Sequence, residues 1–176
     1  MGRLVILSAL LAVAGCAGIP LETVSVPAQS DGWKMGYGNE RRGRTILELI
    51  PTNESISSWS RMLTIQFLEG MRQPPRAVMT SLEAEMRSRC PNALWNVIAE
   101  DATSITYQWS ISNCGGQPDQ IELARLLKGN DGVHRVAYVR KGTAFDPSER
   151  ETWLTALSNA YVTKDGKRVV VAPDPS

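Results

Sequence analysis

Histidine is almost missing from this sequence, and cysteine is scarce. The 176 residues include one histidine, His134, and three cysteines, Cys16, Cys90 and Cys114. Structural zinc sites usually take four Cys or His ligands, and neither Cys90 nor Cys114 stands in a Cys-x-x-Cys pair. We therefore predict no metal site and no cofactor. His134 lies in a predicted strand, where an ordinary surface or half-buried position is favoured over a role as general base.

The sequence also lacks a marked excess of charge and a recognisable catalytic motif. It has 19 Lys and Arg residues against 18 Asp and Glu residues, whereas nucleic-acid-binding domains carry a strongly basic surface. No Gly-x-Ser-x-Gly nucleophile elbow occurs. Gly36, Gly38 and Gly43 lack the spacing and the Gly-Lys ending of a phosphate loop. We predict a protein that is not an enzyme and does not bind nucleic acid.

The N-terminal apolar run is too short for a membrane-spanning helix, which needs about 20 residues. It covers Leu4–Val13 and follows one basic residue, Arg3. A basic start followed by about ten apolar residues is typical of a secretory signal. The sequence Val13-Ala14-Gly15-Cys16 then resembles the lipobox of bacterial lipoproteins. That resemblance implies cleavage before Cys16 and attachment of lipid to its sulfur.

The resemblance to lipoproteins implies a cellular location and a division of the chain into segments. Residues 1–15 would be the signal peptide, and residues 16–32 the lipidated Cys16 and a flexible tether. The protein would face the periplasm from the cell envelope, held at the membrane by its lipid anchor. Ala17 stands where lipoproteins retained in the inner membrane of enteric bacteria usually have Asp, so the outer membrane is favoured. The alternative is an ordinary signal cleaved nearby, with Cys16 left in the product.

The remaining two cysteines are expected to pair. Thiols form disulfides in oxidising compartments such as the periplasm. With Cys16 lipidated, Cys90 and Cys114 are left as an even number, and we predict a bridge between them. Two free thiols are the alternative.

Hydrophobic periodicity predicts a single α+β domain over residues 33–172, followed by a tail at residues 173–176. Period-two alternation favours strands on both sides of a polar turn at 39–44, then at 59–67, 94–100, 103–112, 120–127, 133–140 and 169–172. Helical spacing predicts a helix over residues 76–89, closed by Pro91.

The start of a second helix is marked by Asp146-Pro147-Ser148-Glu149. Asp146 is an N-cap acceptor, Pro147 fits the first helical position, and Glu149 makes the motif a variant capping box. Apolar residues at helical spacing follow, from Trp153 to Tyr161, and predict the buried stripe of this helix.

The order of elements is strands, one helix, four strands and one helix. It favours a mainly antiparallel sheet packed by two amphipathic helices. Over residues 33–162 this layout is similar to the PsbP-like sandwich, the group to which DcrB-like domains also belong. Proteins of that group act mainly by non-enzymatic binding and assembly, and no functional residue carries over to this chain.

Aromatic and basic residues near the start of the domain form a candidate binding patch, because exposed aromatic side chains dominate interface hot spots. Its members are Trp33, Tyr37, Trp59, Arg41, Arg42 and Arg44. Burial of the tryptophans in the core is the alternative for those residues. The three arginines are either solvated or in contact with anionic lipid.

These observations predict a non-catalytic envelope lipoprotein that binds, or helps to assemble, another envelope component. Its partners would be the membrane, through the anchor, and an envelope protein. An anchored inhibitor or immunity protein against a toxin or hydrolase is the first alternative. A hydrolase with dispersed catalytic residues is the second.

Overall fold

The computed structural model describes residues 22–27 and 32–171, so Cys16 and the signal peptide lie outside the described residues. Within these ranges the chain forms ten strands and two helices. In chain order they are β1 (Thr23–Ser25), β2 (Trp33–Arg41), β3 (Arg44–Pro51), β4 (Arg61–Glu69), α1 (Pro75–Arg89), β5 (Leu94–Glu100), β6 (Ser104–Ile111), β7 (Gln120–Lys128), β8 (Gly132–Lys141), α2 (Pro147–Ser158), β9 (Tyr161–Lys164) and β10 (Lys167–Arg168).

Seven strands form the main sheet, in the order β2-β3-β4-β8-β7-β6-β5, and β1, β9 and β10 form a small second sheet. Neighbouring strands are antiparallel throughout both sheets. The fold is therefore α+β with mainly antiparallel sheets, as the periodicity predicts.

The two helices pack on opposite faces of the main sheet. On the α1 face, Val78 and Met79 join a buried cluster with Ile105, Tyr107, Trp109, Ile111, Ala124, Leu126, Val133 and Ala137. On the α2 face, Trp153, Ala156 and Leu157 join Leu47, Leu49, Leu63, Leu123, Val136 and Tyr138, together with Val24 and Val162 of the small sheet. Strands β7 and β8 thus bury side chains on both of their faces.

The turn predicted at 39–44 between the first two long strands is present but confined to Arg42–Gly43, because residues 39–41 and Arg44 pair within β2 and β3. Both turn residues have positive φ, 52° and 72°, and Arg41 pairs with Arg44 across them. Two-residue loops with two left-handed residues match the twist of antiparallel strands, and glycine supplies the second one without strain.

Helix α2 begins where the sequence predicts. The carboxylate of Asp146 accepts a hydrogen bond from the backbone N–H of Ser148 at 2.9 Å. The capping-box role expected of Glu149 is not seen. Its carboxylate instead accepts hydrogen bonds from the Tyr138 hydroxyl and the Arg140 guanidinium, which lie on the neighbouring strand β8.

The end of α2 differs from the prediction, because the helix ends at Ser158 and Tyr161 begins β9. The guanidinium of Arg125, from β7, donates to the carbonyl oxygens of Leu157, at 2.8 Å, and of Ser158. A cation that binds the last carbonyls of a helix stabilises its C-terminus. The apolar stripe expected to reach Tyr161 therefore stops one turn earlier.

The edge strand predicted at residues 169–172 is also wrong. A turn at Asp165–Gly166, with φ of 52° and 73°, folds the chain back directly after β9. The final strand is therefore β10, at Lys167–Arg168. Val170 is 86% exposed, and Ala172 lies outside the described residues.

The segment 22–27, predicted to be part of the tether, is instead packed against the domain. Strand β1 pairs with β9 in the register Val24↔Val162. Val24 and Val26 are 2% and 4% exposed. The domain therefore begins at or before Glu22 and not at Trp33.

Glu22 is fixed by the β7–β8 turn. Its carboxylate accepts hydrogen bonds from the backbone N–H groups of Asn130 at 2.8 Å and Asp131 at 3.1 Å. A side chain at Gly129 would overlap that carboxylate, so only glycine allows this approach. Glu22 is 3% exposed, and hydrogen bonds to charged groups contribute about 1.5–3 kcal/mol each.

His134 completes this buried contact. Its Nε2 lies 3.3 Å from Glu22 Oε2, its ring stacks on Phe67 with centroids 4.5 Å apart, and it is 1% exposed. The sequence favoured a surface or half-buried position, so full burial is a correction. Burial lowers the pKa of His134, against the opposing effects of Glu22 and Asp131.

We predict that the domain loses stability as the pH falls below about 6.5, the pKa of histidine in an unfolded chain. The unfolded chain binds a proton there before folded His134 does, so acid favours unfolding, by up to about 1.4 kcal/mol per pH unit. Urea unfolding between pH 7.5 and 5.5 measures this slope. The variant His134→Gln should flatten it, and equal slopes for the two proteins would contradict the prediction.

Candidate functional site

A cleft of about 180 Å³ opens between the second half of α1 and strands β5, β6 and β8. We name it the aromatic cleft. Helix α1 contributes Leu82, Glu85, Met86 and Arg89, and the sheet contributes Trp95, Tyr107, Trp109 and Arg135.

Three parallel rings form the sheet wall of the aromatic cleft. Trp95 and Trp109 are a cross-strand pair of β5 and β6, with ring centroids 6.1 Å apart. Trp95 also stacks on Tyr107 at 5.0 Å. Aromatic pairs add about 0.5–1.5 kcal/mol to the energy of their burial, so the three rings stabilise one another in this arrangement.

Both indole N–H groups of this wall already have acceptors. Trp95 Nε1 donates to Met79 Sδ at 3.0 Å, and Trp109 Nε1 donates to Glu122 Oε1 at 2.6 Å. The rings therefore offer apolar surface to the cleft, with their polar atoms turned into the protein.

Arg135 forms the polar floor of the cleft, and its charge is balanced internally. It pairs with Glu122, and their side chains are 12% and 4% exposed. Its Nε donates to the Tyr107 hydroxyl at 3.0 Å, and its Nη1 donates to Gln66 at 3.0 Å. Burial alone would lower the pKa of Arg135. The nearby Glu122 and Tyr107 outweigh this effect, so the pKa lies above its ordinary value. The guanidinium stays charged, and a ligand need not neutralise it.

The rim on the helix side is polar and open to solvent. Glu85 and Arg89 form an ion pair one helical turn apart, with side chains 59% and 71% exposed. Exposed pairs of this kind contribute only about 0.3–0.5 kcal/mol. The rim can therefore rearrange at little cost, while Leu82 and Met86 beneath it pack against the apolar cluster of the α1 face.

The predicted bridge between Cys90 and Cys114 is confirmed, with Cα atoms 5.5 Å apart. It joins the residue after α1 to the segment after β6. Because Arg89 and Trp109 line the cleft close to these two points, the disulfide fixes the distance between the helix wall and the sheet wall.

The candidate patch predicted from the sequence is not assembled as one surface. Trp33 packs edge-on against Tyr138 and Trp153, with centroids 6.4 and 6.0 Å apart, so it belongs to the α2 face. Trp59 lies in the loop before β4, half-buried, with the Lys141 ammonium 4.7 Å from its ring. Tyr37 is 44% exposed.

The three arginines of that patch do lie together, at the tip of the β2–β3 hairpin. Arg41, Arg42 and Arg44 are all exposed. Among the described residues, none of the three forms an ion pair or a side-chain hydrogen bond.

In the described part of the chain, no three His, Cys, Asp or Glu residues are placed to hold a metal ion. Neither helix in residues 22–27 and 32–171 has the length and apolar character needed to cross a bilayer. A scan against models of known protein families finds no match, and a search of curated proteins finds no similar sequence.

The aromatic cleft between Trp95, Trp109 and α1 is not predicted from the sequence. The cleft draws on α1, β5, β6 and β8, which are separated in the chain. A usable signal was the hairpin of β5 and β6, whose register sets Trp95 directly opposite Trp109 on the face that α1 must cover.

We predict that the double variant Cys90→Ser/Cys114→Ser loses about 3.5 kcal/mol in free energy of unfolding, because the bridge closes a loop with a sequence separation of 24. Urea unfolding with and without a reductant measures the loss. Reductant should destabilise the natural chain and leave the variant unchanged. An identical midpoint for the natural chain under both conditions would refute the prediction.

Proposed function

We propose that this protein is a non-catalytic, lipid-anchored component of the bacterial cell envelope that binds another envelope protein through the aromatic cleft. We also propose that its α+β fold is a PsbP-like sandwich, in which two amphipathic helices pack on the sheet. The proposal also includes an anchor at Cys16 and a domain that faces the periplasm, with the outer membrane favoured.

The composition of the aromatic cleft is the observation that carries the proposal. Tryptophan, tyrosine and arginine are the residues most enriched at the energetic centres of protein interfaces. Here Trp95, Trp109, Tyr107 and Arg135 meet at one cavity. Their hydrogen bonds within the protein hold them in place, which reduces the entropy lost on binding.

The size of the cleft favours a side chain as its occupant. Pockets for small molecules usually measure about 300–1,000 Å³, whereas this cleft measures about 180 Å³. The rings and Met86 provide apolar contacts, and the internal pairing of Arg135 with Glu122 removes any need for a charged ligand. We therefore propose that a partner inserts one large apolar side chain between α1 and the rings.

Two further features support the proposed location. The sequence Val13-Ala14-Gly15-Cys16 resembles a lipobox. The disulfide between Cys90 and Cys114 is of the kind that persists in oxidising compartments such as the periplasm.

We predict that Glu85→Trp blocks partner binding. Glu85 lies at the open rim, so an indole there can fold over the cleft without disturbing the core. Ala84→Trp is the matched control, since Ala84 is the exposed neighbour on the same helix and does not line the cleft. In-cell photocrosslinking from a probe at position 89, followed by mass spectrometry, should capture an envelope protein in the natural chain and in Ala84→Trp. Glu85→Trp should reduce the yield at least tenfold.

An equal yield from the Glu85→Trp and Ala84→Trp proteins would rule out the cleft as the binding site. A circular dichroism melt of both variants checks that each one folds. If no protein is captured from position 89 in the natural chain, the proposed function itself is rejected.

We also predict that Cys16→Ser prevents lipid attachment. Mass spectrometry of the natural protein should show a new N-terminus at Cys16 carrying acyl chains, and the variant should lack both. Ser112→Cys is the control for an unrelated change in cysteine content. A natural protein with residues 1–15 intact and no acyl group would contradict the proposed anchor.

A further inference from the structure

We infer that the tip of the β2–β3 hairpin contacts the phosphate headgroups of anionic glycerophospholipids in the membrane that holds the anchor. The contact would be made by Arg41, Arg42 and Arg44. This inference rests on the lipid anchor of the proposed function and adds the orientation of the domain to it.

The chain between the proposed anchor and the domain is short. Five residues, 17–21, separate Cys16 from Glu22. A fully extended chain spans at most about 3.3–3.6 Å per residue. The Cα atom of Glu22 therefore lies within about 20 Å of the Cα atom of Cys16, the residue proposed to carry the lipid. The sequence alone suggested a tether reaching to residue 32, which would have left the orientation of the domain open.

Glu22 is fixed at one end of the main sheet. Its carboxylate binds the N–H groups of Asn130 and Asp131, in the β7–β8 turn. We name this the anchored end. The short link to Cys16 must leave the domain there.

Hydrogen bonds connect the hairpin that carries the three arginines to the same end of the sheet. The backbone N–H of Glu69 donates to the carbonyl of Gly43, in the hairpin turn, at 2.8 Å, and Gly70 N–H donates to the carbonyl of Asp131 at 2.8 Å. Asp131 in turn binds Glu22. Since β3, β4 and β8 are successive strands about 4.8 Å apart, the hairpin tip lies roughly 10–15 Å from the β7–β8 turn.

The tip of the hairpin carries the positive charges of three arginines. Arg41 pairs with Arg44, and Arg44 pairs with Leu68, which packs on the α1 side of the sheet. Side chains alternate between faces along a strand. The side chains of the neighbouring acids, Glu40 and Glu69, therefore leave the strands on the opposite face. The Glu69 carboxylate reaches the turn at Gly43, but within the described residues it forms no ion pair with any of the three arginines. A basic tip without acidic partners, close to a bilayer, is attracted by about 1 kcal/mol per arginine, or about fivefold each in an equilibrium.

This orientation places the aromatic cleft away from the membrane. Strand β6 runs from Ser104 at the anchored end towards Ile111, and Trp109 lies five residues along it, about 17 Å further out. Arg89 and the disulfide lie at the same distal end. The cleft would thus face into the periplasm and be open to a partner.

The test uses the full chain, lipidated and reconstituted on vesicles, with a fluorophore on one introduced cysteine. Asn39→Cys reports on the hairpin, and Thr143→Cys reports on the opposite end of β8. The vesicles carry a headgroup-linked quencher in phosphatidylcholine, with or without 30% phosphatidylglycerol. In phosphatidylglycerol vesicles we expect the label at position 39 to be quenched at least fivefold more strongly than the label at position 143.

The arginines are tested as a set, in the Asn39→Cys protein. Arg41→Gln/Arg42→Gln/Arg44→Gln should reduce quenching in phosphatidylglycerol vesicles to the level seen with phosphatidylcholine alone. The matched set of Arg→Lys changes should keep it, and 0.5 M salt should weaken it. Equal quenching at positions 39 and 143, or no effect of the Gln set, would overturn the inference.

Mass spectrometry of the N-terminal peptide separates this failure from failure of the anchor. An acylated Cys16 with equal quenching at both labels rejects only the hairpin contact. An unacylated N-terminus rejects the anchor, and the inference is rejected with it.

Discussion

Burial of the central strands of the main sheet on both faces is the constraint on which the rest of this structure depends. Helix α1 covers one face, while α2 and the small sheet cover the other. Strands β7 and β8 must therefore be apolar on both sides, and their polar residues need partners inside the protein. Arg135 meets this requirement with Glu122 on one face, and His134 meets it with Glu22 on the other. The polar floor of the aromatic cleft and the contact that holds Glu22, next to β1, on the domain thus both arise because polar side chains buried on the sheet need partners.

Local patterns predicted the parts of the fold that local contacts determine. The alternation of Ile105, Tyr107, Trp109 and Ile111 gave β6 its buried face, and Asp146 capped α2 as expected. The same logic failed wherever a distant residue decides the outcome. Strand β1 is three residues long, and the carboxylate of Glu22, the residue before it, finds its partners more than 100 positions away. The end of α2 depends on Arg125, which no periodicity within the helix could reveal.

The candidate site, like the fold, was predictable only where it does not depend on contacts between distant parts of the chain. The pairing of Cys90 with Cys114 follows from cysteine number and compartment, whereas the cleft beside it needs the positions of α1 and of three strands, β5, β6 and β8. The sequence also grouped Trp33, Tyr37 and Trp59 by proximity in the chain. The bulge between Met35 and Tyr37 and the two-faced burial of the sheet separate them. Only the arginines of that group share a surface, because a two-residue turn brings Arg41 and Arg44 together.

The antiparallel pairing of β1 with β9 has a mechanical consequence. Backbone hydrogen bonds of an antiparallel ladder lie perpendicular to the strands. A force that pulls on the chain ahead of Glu22 acts along β1, so it shears the pairs Thr23↔Thr163, Val24↔Val162 and Ser25↔Tyr161 together and cannot open them one after another. Tension on the N-terminus is thereby shared among the three pairs and passed through β9 into the small sheet.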